Sequence, residues 1–267
     1  MKRYLVNLAR RPDRLQAMQA RAAALGLTLE RVEALDAAAA EPAAMDGWFA
    51  PSGPLGEIPR GDKACLLSHR RAWEMFLQSG ASHAVFLEDD VVLSPAAGAL
   101  LRDAGWIPAG VPVVKLEHYG PPGQRVLLKD FRALEPNVAP DFEIARMLSR
   151  HTGAGAYILS RTAARLLVAQ PRFPLPVDHL LFNPNNSPLF AHLPPWQLLP
   201  AIARQEQFLE ARPEKSDIAR SREGLRAFGL TYVRRELVRF GYDLRLLPRQ
   251  TWALAKGAKF VAMKTEG

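Results

Sequence analysis

The chain has 267 residues, 48% of them hydrophobic, enough for one large domain or one domain with a smaller appendage. Its one cysteine, Cys65, excludes an intrachain disulfide and a thiolate-rich metal site, and it fits a reducing compartment. The net charge of +8 is unevenly placed: residues 220–267 hold 11 Lys/Arg against 4 Asp/Glu, whereas residues 1–219 hold 24 against 23. The basic character belongs to the C-terminal segment, so a sitewide nucleic-acid-binding face is not indicated and no nucleic-acid partner is expected.

The apolar run near the N-terminus is broken by Asn7 and then by arginines, unlike a secretory signal. No uncharged apolar run reaches the ~20 residues needed to span a bilayer. The expected location is cytoplasmic, with the protein soluble or peripheral.

Tyr4–Leu8 reads as a first strand, followed by a helix with Leu15, Met18, Ala22 and Leu25 on one face and Gly26 at its end. Leu27–Leu35 reads as a second strand, and β-α-β in this order implies a parallel sheet with crossover helices. Residues 36–60, rich in Ala, Pro and Gly, read as a long functional loop, a candidate lid. A helix is expected from about Asp62 to Leu77, with Cys65, His69, Ala72 and Phe76 on one face, and then a buried strand over Ala84–Leu87.

Ser94-Pro95 predicts the start of a short helix. Val113–Glu117, Arg125–Leu134 and Gly155–Ser160 are further strand candidates, and Thr162–Ala169 reads as a helix. The prolines between Pro171 and Pro200 predict a winding surface segment. From about residue 219 the pattern changes to basic and apolar residues at helical spacing, so the expected division is a main domain over 1–219 and a basic amphipathic segment over 220–267.

Glu88, Asp89 and Asp90 stand together where a buried strand surfaces. Two like charges roughly 5 Å apart at an effective dielectric of about 20 repel by about 3 kcal/mol, so a cation or water must offset them. In open α/β sheets ligands bind beyond the carboxyl ends of the strands, where this triplet would lie. Carboxylates without histidine or thiolate neighbours suit Mg²⁺ or Mn²⁺, which commonly bridge such groups to a diphosphate. A solvated strand end, a helix cap or an aspartyl phosphoacceptor also fits the bare triplet.

The surroundings are more specific. Tyr4-Leu5-Val6-Asn7-Leu8 with Arg11, Asp13 and Arg14, then Gly61 to His69 with Trp73, then Phe86-Leu87-Glu88-Asp89-Asp90-Val91 follow one another in the order and spacing of a known pattern. Thr152 with Ala156–Ser160, Pro176-Val177-Asp178 and Ser216-Asp217-Ile218 continue it. Over about residues 2–222 the chain resembles glycosyltransferase family 25, the lipopolysaccharide and collagen galactosyltransferase-like group. Two residues depart from the pattern: Asp62 stands where Glu is usual, and Ala64 where Gly is usual.

The resemblance implies an α/β, GT-A-like nucleotide-sugar-binding fold, a mostly parallel central sheet flanked by helices, a UDP-sugar donor, and Mn²⁺ or Mg²⁺ held by Glu88, Asp89 and Asp90. Asn7, Arg11, Arg14, Ser68 and His69, with Glu88 and Asp89, would lie around the donor. Arg11 and Arg14 suit phosphate but also fit an exposed first helical turn, and His69 also fits a packed histidine.

Inverting transfer needs a base opposite the leaving diphosphate, and Asp178 is the leading candidate, with Asp217 the alternative. Asp178 also fits a helix cap. His192 and Cys65 read as structural.

The implied function is transfer of a hexose, galactose from UDP-galactose, onto a lipopolysaccharide or related glycan or lipid-linked acceptor. The basic, aromatic-rich C-terminal segment suits an anionic membrane surface or a helix packed on the enzyme itself. The rivals are a catalytically degenerate nucleotide-sugar-binding or membrane-scaffold protein, and a metal-dependent phosphoesterase.

Overall fold

The computed structural model describes residues 1–135, 139–209 and 230–266. In chain order the elements are β1 (Lys2–Asn7), α1 (Pro12–Ala24), β2 (Glu30–Glu33), α2 (Pro42–Asp46), α3 (Arg60–Gln78), β3 (His83–Glu88), β4 (Val91–Leu93), α4 (Ala97–Leu100), β5 (Val113–Lys115) and β6 (Glu117–His118). They continue with β7 (Arg125–Ala133), β8 (Glu143–Met147), β9 (Ala156–Ser160), α5 (Arg161–Val168), α6 (Val177–Phe182), β10 (Pro195–Leu199), β11 (Ala203–Gln205), α7 (Leu230–Ala255) and β12 (Lys259–Ala262).

Nine strands form one sheet in the order β12-β7-β8-β10-β5-β9-β3-β1-β2, and β4-β11-β6 form a second, three-stranded sheet. β1 pairs in parallel with both β2 and β3, the product of the expected β-α-β start. β9 enters antiparallel between β3 and β5, and β8 antiparallel beside β10. Six strands therefore run one way and β8, β9 and β12 the other. The arrangement is mixed α/β and is consistent with a GT-A-like fold.

Local chemistry accounts for the elements that frame the site. Pro12 occupies the first turn of α1, where its missing N–H costs nothing. Gly26 ends that helix at φ +68°, with the Leu27 amide donating to the Ala22 carbonyl (2.9 Å) and the Gly26 amide to Ala23 (3.0 Å), a Schellman cap. α3 buries Ala64, Ser68, His69, Ala72, Trp73 and Phe76, the recurrence of one helical face. Alternation along β3 sends Ala84 and Phe86 to the α3 side of the sheet and Val85 and Leu87 to the α1 side, so a core lies on each face.

Several elements differ from the sequence reading. Only Glu30–Glu33 of the second strand pairs, because the chain turns away after Ala34. Residues 36–60 include α2, and Met45 and Phe49 are buried with the Trp48 carbonyl accepting from the Phe173 amide (2.8 Å), so this stretch is anchored. The strand expected over Val113–Glu117 breaks at Leu116 into β5 and β6, which join different sheets.

The proline-rich stretch is not all surface. Within it β10 is buried at every residue and pairs with β5 and β8. Pro195 is tolerated as the first residue of that strand. At the far edge β12 pairs antiparallel with β7, so the C-terminal segment contributes a strand to the main sheet.

Candidate active site

A cleft of about 470 Å³ opens at the carboxyl ends of β1, β2 and β3, against the first turns of α3. The acidic triplet forms one wall, Arg10 and Arg14 another, and Leu35–Ala38 with Arg60 a third. β3 ends at Glu88, and Asp89 and Asp90 form the turn into β4, which brings all three carboxylates to the rim of the sheet.

The three acids have different environments. Asp89 accepts from the Asn7 side-chain amide on Oδ2 (2.7 Å) and from Arg14 on Oδ1 (3.4 Å). Burial nevertheless raises its pKa above the usual carboxylate value, with Asn7 and Arg14 opposing. Asp90 is 8% exposed, and among the described residues its buried Oδ1 has no hydrogen-bond partner. Burial first, then the charges of Glu88 and Asp89, push its pKa well above the usual range.

A buried carboxylate oxygen without a donor is costly unless a cation is near, so Asp90 fits a divalent metal ligand. Glu88, two residues earlier, presents a second carboxylate at the same rim.

Glu88 is itself held by α3. His69 Nε2 lies 3.2 Å from Glu88 Oε1, while His69 Nδ1 lies 2.8 Å from the Tyr157 hydroxyl. The Trp73 indole donates to the same hydroxyl at 2.9 Å. Because a carboxylate only accepts, Nε2 carries the proton, and the Tyr157 hydroxyl donates to Nδ1. The order Trp73 to Tyr157 to His69 to Glu88 is one directed chain of donors.

Cys65 also points its thiol at Glu88 Oε1, at 3.6 Å, and Cys65, His69 and Glu88 have ligand atoms within 4.8 Å of one another. Burial, with the carboxylates of Glu88, Asp62 and Asp178, pushes the Cys65 thiol well above its ordinary pKa. A protonated thiol is a poor metal ligand, and His69 has both nitrogens engaged, so this trio suits positioning of Glu88 better than a soft-metal site.

Behind the triplet lies a buried ion pair. Lys115 Nζ is 2.8 Å from Glu117 Oε1, and both side chains are fully buried. Glu117 also accepts from the Gly155 amide (2.9 Å) and from Gln205 (3.3 Å). Burial drives Lys115 and Glu117 each toward the neutral form; their mutual attraction and hydrogen bond oppose it, and the Gly155 amide adds to this at Glu117. Gly155 is needed for its close approach: a Cβ there would lie 2.8 Å from Gln205 Nε2 and 2.9 Å from Glu117 Oε2. Its carbonyl accepts from the Glu88 amide (2.8 Å), which ties the ion pair to the triplet.

Asp178 lies in the first turn of α6, where Oδ1 accepts from the His179 amide (2.8 Å). Its charge acts on Cys65 and on Lys115, as that of Glu88 does, so the two acids face the same interior groups.

Of the residues singled out from sequence, the fold brings Arg14, Ser68, Glu88, Asp89 and Asp90 to the cleft, with Asn7 and His69 directly behind them. The Ser68 hydroxyl donates to the Ala64 carbonyl (2.7 Å) and accepts from the Leu35 amide (2.8 Å), fastening the end of β2 to α3. Arg11 is engaged by Asp13 (2.8 Å) rather than lining the cleft. His192 is exposed in a turn, and Asp217 lies outside the described residues.

Sequence reasoning missed Arg10, Asp36 and Arg60 in the walls. Arg10 pairs with Asp36 at 2.6 Å, and the Ala38 amide and Arg10 hold the Asp36 pKa low. It also missed Tyr157 and the Lys115–Glu117 pair. The signal for the latter was present: a lysine and a glutamate alternating inside an apolar strand have to face one another or a ligand.

A mixed α/β sheet with an acid-lined cleft at its strand ends defines the class of protein. The sequence profile of glycosyltransferase family 25, described as an LPS biosynthesis protein family, matches residues 1–181. The chain belongs to glycosyltransferase family 25.

It is 31% identical over 159 residues to a lacto-N-neotetraose biosynthesis glycosyltransferase, LgtB, of Neisseria gonorrhoeae, covering 54% of this chain and 53% of that one. It is 28% identical over 173 residues to the lipooligosaccharide biosynthesis protein lex-1 of Haemophilus influenzae, covering 60% and 53%. The lipooligosaccharide biosynthesis protein lic2B of Haemophilus influenzae is 24% identical over 170 residues, 59% of each chain. The chain thus spans little more than half the length of the curated relatives it matches.

Proposed function

We propose that this protein is a metal-dependent, inverting hexosyltransferase that moves galactose from UDP-galactose onto a lipopolysaccharide or related glycan acceptor. The observation that carries the reading is the unpartnered, buried Oδ1 of Asp90 beside Glu88 at the mouth of the strand-end cleft. Family membership and the names of the relatives, which are glycosyltransferases or lipooligosaccharide biosynthesis proteins, support the reaction class and the acceptor class.

In this reading Glu88 and Asp90 hold Mn²⁺ or Mg²⁺, and Asp89, fixed by Asn7 and Arg14, sets the turn that presents them. An ion held there would supply electrostatic stabilisation of the leaving diphosphate. Arg10, Arg14 and Arg60 surround the cleft with guanidinium groups, whose forked donors suit phosphate oxygens. The His69 chain keeps Glu88 in one orientation, so the ligand oxygen needs no reorganisation when donor arrives. Asp178 serves as the base that takes the acceptor hydroxyl proton, with Asp217 as the alternative. Exposed apolar and basic residues near the C-terminal end of α7 support contact with an anionic membrane surface, where a lipid-linked acceptor would be presented.

The test is calorimetric titration of the whole chain with UDP, UDP-galactose, UDP-glucose and GDP-mannose, each with Mn²⁺ and then with EDTA. Uridine ligands are expected to bind only with metal, and GDP-mannose not to bind. A folded protein that binds none of them refutes the donor assignment and leaves the degenerate scaffold as the reading.

A further inference from the structure

A second pocket of about 640 Å³ lies on the three-stranded sheet, between β4, β6, β11 and the last residues of the chain. Arg204 is the register partner of both His118 and Val92, so these three side chains share one face of that sheet. That face lines the pocket, and Lys264, Thr265 and Glu266 close it from the C-terminal segment.

The pocket holds polar atoms in need of partners. Among the described residues, Arg204 Nε, His118 Nε2 and Thr265 Oγ1 are buried and make no hydrogen bond, and no ion pair is formed by the Arg204 guanidinium. His118 is 2% exposed, and a hydrogen bond with the Pro121 backbone engages its ring, which leaves Nε2 directed elsewhere. Burying the Arg204 Nε–H and the Thr265 hydroxyl without partners costs free energy that an anionic oxygen would recover, while His118, whose pKa burial and Arg204 lower, presents Nε2 as an acceptor for a protonated oxygen.

Lys264 adds a second positive charge at the rim. The one carboxylate of the lining, Glu266, accepts from the Ser94 hydroxyl and from the Ala96 amide (3.1 Å), and so is already engaged.

The pocket begins two residues after Asp90, about 7 Å of extended chain. Arg204 and Lys264 lie beyond the span that the family profile matches.

We infer that this pocket binds an anionic group, a phosphate or a carboxylate, carried by the saccharide that accepts the transferred hexose. The inference rests on the transferase reading for the identity of the saccharide as acceptor, and on Arg204, His118, Thr265 and Lys264 for the anion. Guanidinium and ammonium neutralise the charge. The Thr265 hydroxyl donates, and His118 Nε2 accepts from a protonated phosphate oxygen or donates once itself protonated.

The experiment is calorimetric titration of the whole chain, and of Arg204→Gln and Lys264→Gln, with a hexose 6-phosphate, a hexuronate and the neutral hexose. UDP with Mn²⁺ is titrated into the same samples. At least one anionic sugar is expected to bind tenfold or more tightly than the neutral hexose, and to lose that margin in Arg204→Gln and part of it in Lys264→Gln. UDP affinity is expected to stay within a factor of about two in both variants, which shows that the fold and donor cleft are intact.

The inference is overturned if no anionic sugar is preferred, or if both variants, with melting transitions like that of the parent, bind the anionic sugars unchanged. Binding of the anionic sugars that depends on Arg204, in a protein that ignores UDP, keeps the anion pocket and refutes its assignment to a transferase acceptor. The phosphate and carboxylate arms identify the anion.

Discussion

The single most informative atom in the molecule is Oδ1 of Asp90. Asp90→Asn keeps the shape and removes the charge, so Mn²⁺-dependent UDP affinity is expected to fall at least tenfold by calorimetry. The melting temperature in EDTA is expected to hold or rise, since a buried unpaired carboxylate has been replaced by a neutral amide. An unchanged metal-dependent affinity would remove Asp90 from the metal site.

A different residue contributes to acid sensitivity. His151 is fully buried, donates from Nδ1 to Gln197 (3.0 Å) and accepts the Tyr119 amide on Nε2 (3.1 Å). Burial first, and then Lys115, hold its pKa well below 6.5. The unfolded chain therefore binds a proton that the folded chain refuses. Its contribution to stability is complete above about pH 6.5 and is lost as pH falls, at up to about 1.4 kcal/mol per unit. Denaturant midpoints measured from pH 7 to pH 5 should fall less steeply in His151→Gln than in the parent.

The acidic triplet was legible because three adjacent acids after an apolar strand break the composition around them. The different environments of Glu88, Asp89 and Asp90 were not, because they depend on Asn7, Arg14 and His69 arriving from other elements.

At the scale of elements, the site depends on α3 and β9 being locked together behind β3. Tyr157→Phe deletes one oxygen and leaves two groups, the Trp73 indole N–H and His69 Nδ1, without their partner. A loss of about 1–3 kcal/mol in stability is expected from denaturant unfolding. The expected signature beyond stability is a weaker Mn²⁺ dependence of UDP binding, since His69 is then free to turn from Glu88; the same stability loss with unchanged metal dependence would make the chain of donors structural only.

β10 gives the complementary lesson. Its sequence, PWQLL, follows a run of prolines and has no alternation, because a central strand buried on both faces does not need any. Composition alone pointed to a surface loop. Leu198 is fully buried at the centre of the sheet, so Leu198→Ala is expected to cost about 2–5 kcal/mol. A surface position would cost under about 0.5 kcal/mol, and denaturant unfolding separates the two.

At the scale of the whole molecule, the C-terminal segment has two attachments. β12 covers the edge of β7, and the residues after it return to Ala201, whose amide donates to the Lys264 carbonyl (2.9 Å). The helix before β12 presents a different surface. Leu244, Leu247, Trp252 and Leu254 are exposed on α7, and Phe260 on β12, among Arg245, Arg249, Lys256 and Lys259. Trp252, at 65% exposure, buries little within the chain.

No helix of the described residues is long and apolar enough to cross a membrane. Apolar anchors interleaved with cations suit the plane of an anionic interface, where aromatic rings sit at headgroup level and each basic residue adds about 1 kcal/mol. The whole chain is therefore expected to cosediment with phosphatidylglycerol-containing vesicles and not with pure phosphatidylcholine. Salt should weaken the binding by screening its electrostatic part. Leu247→Ser with Trp252→Ser should reduce it several-fold while UDP affinity and melting temperature stay unchanged. Equal binding to neutral vesicles would show a non-specific apolar surface, and an unaffected double variant would show that this face of α7 is not the contact.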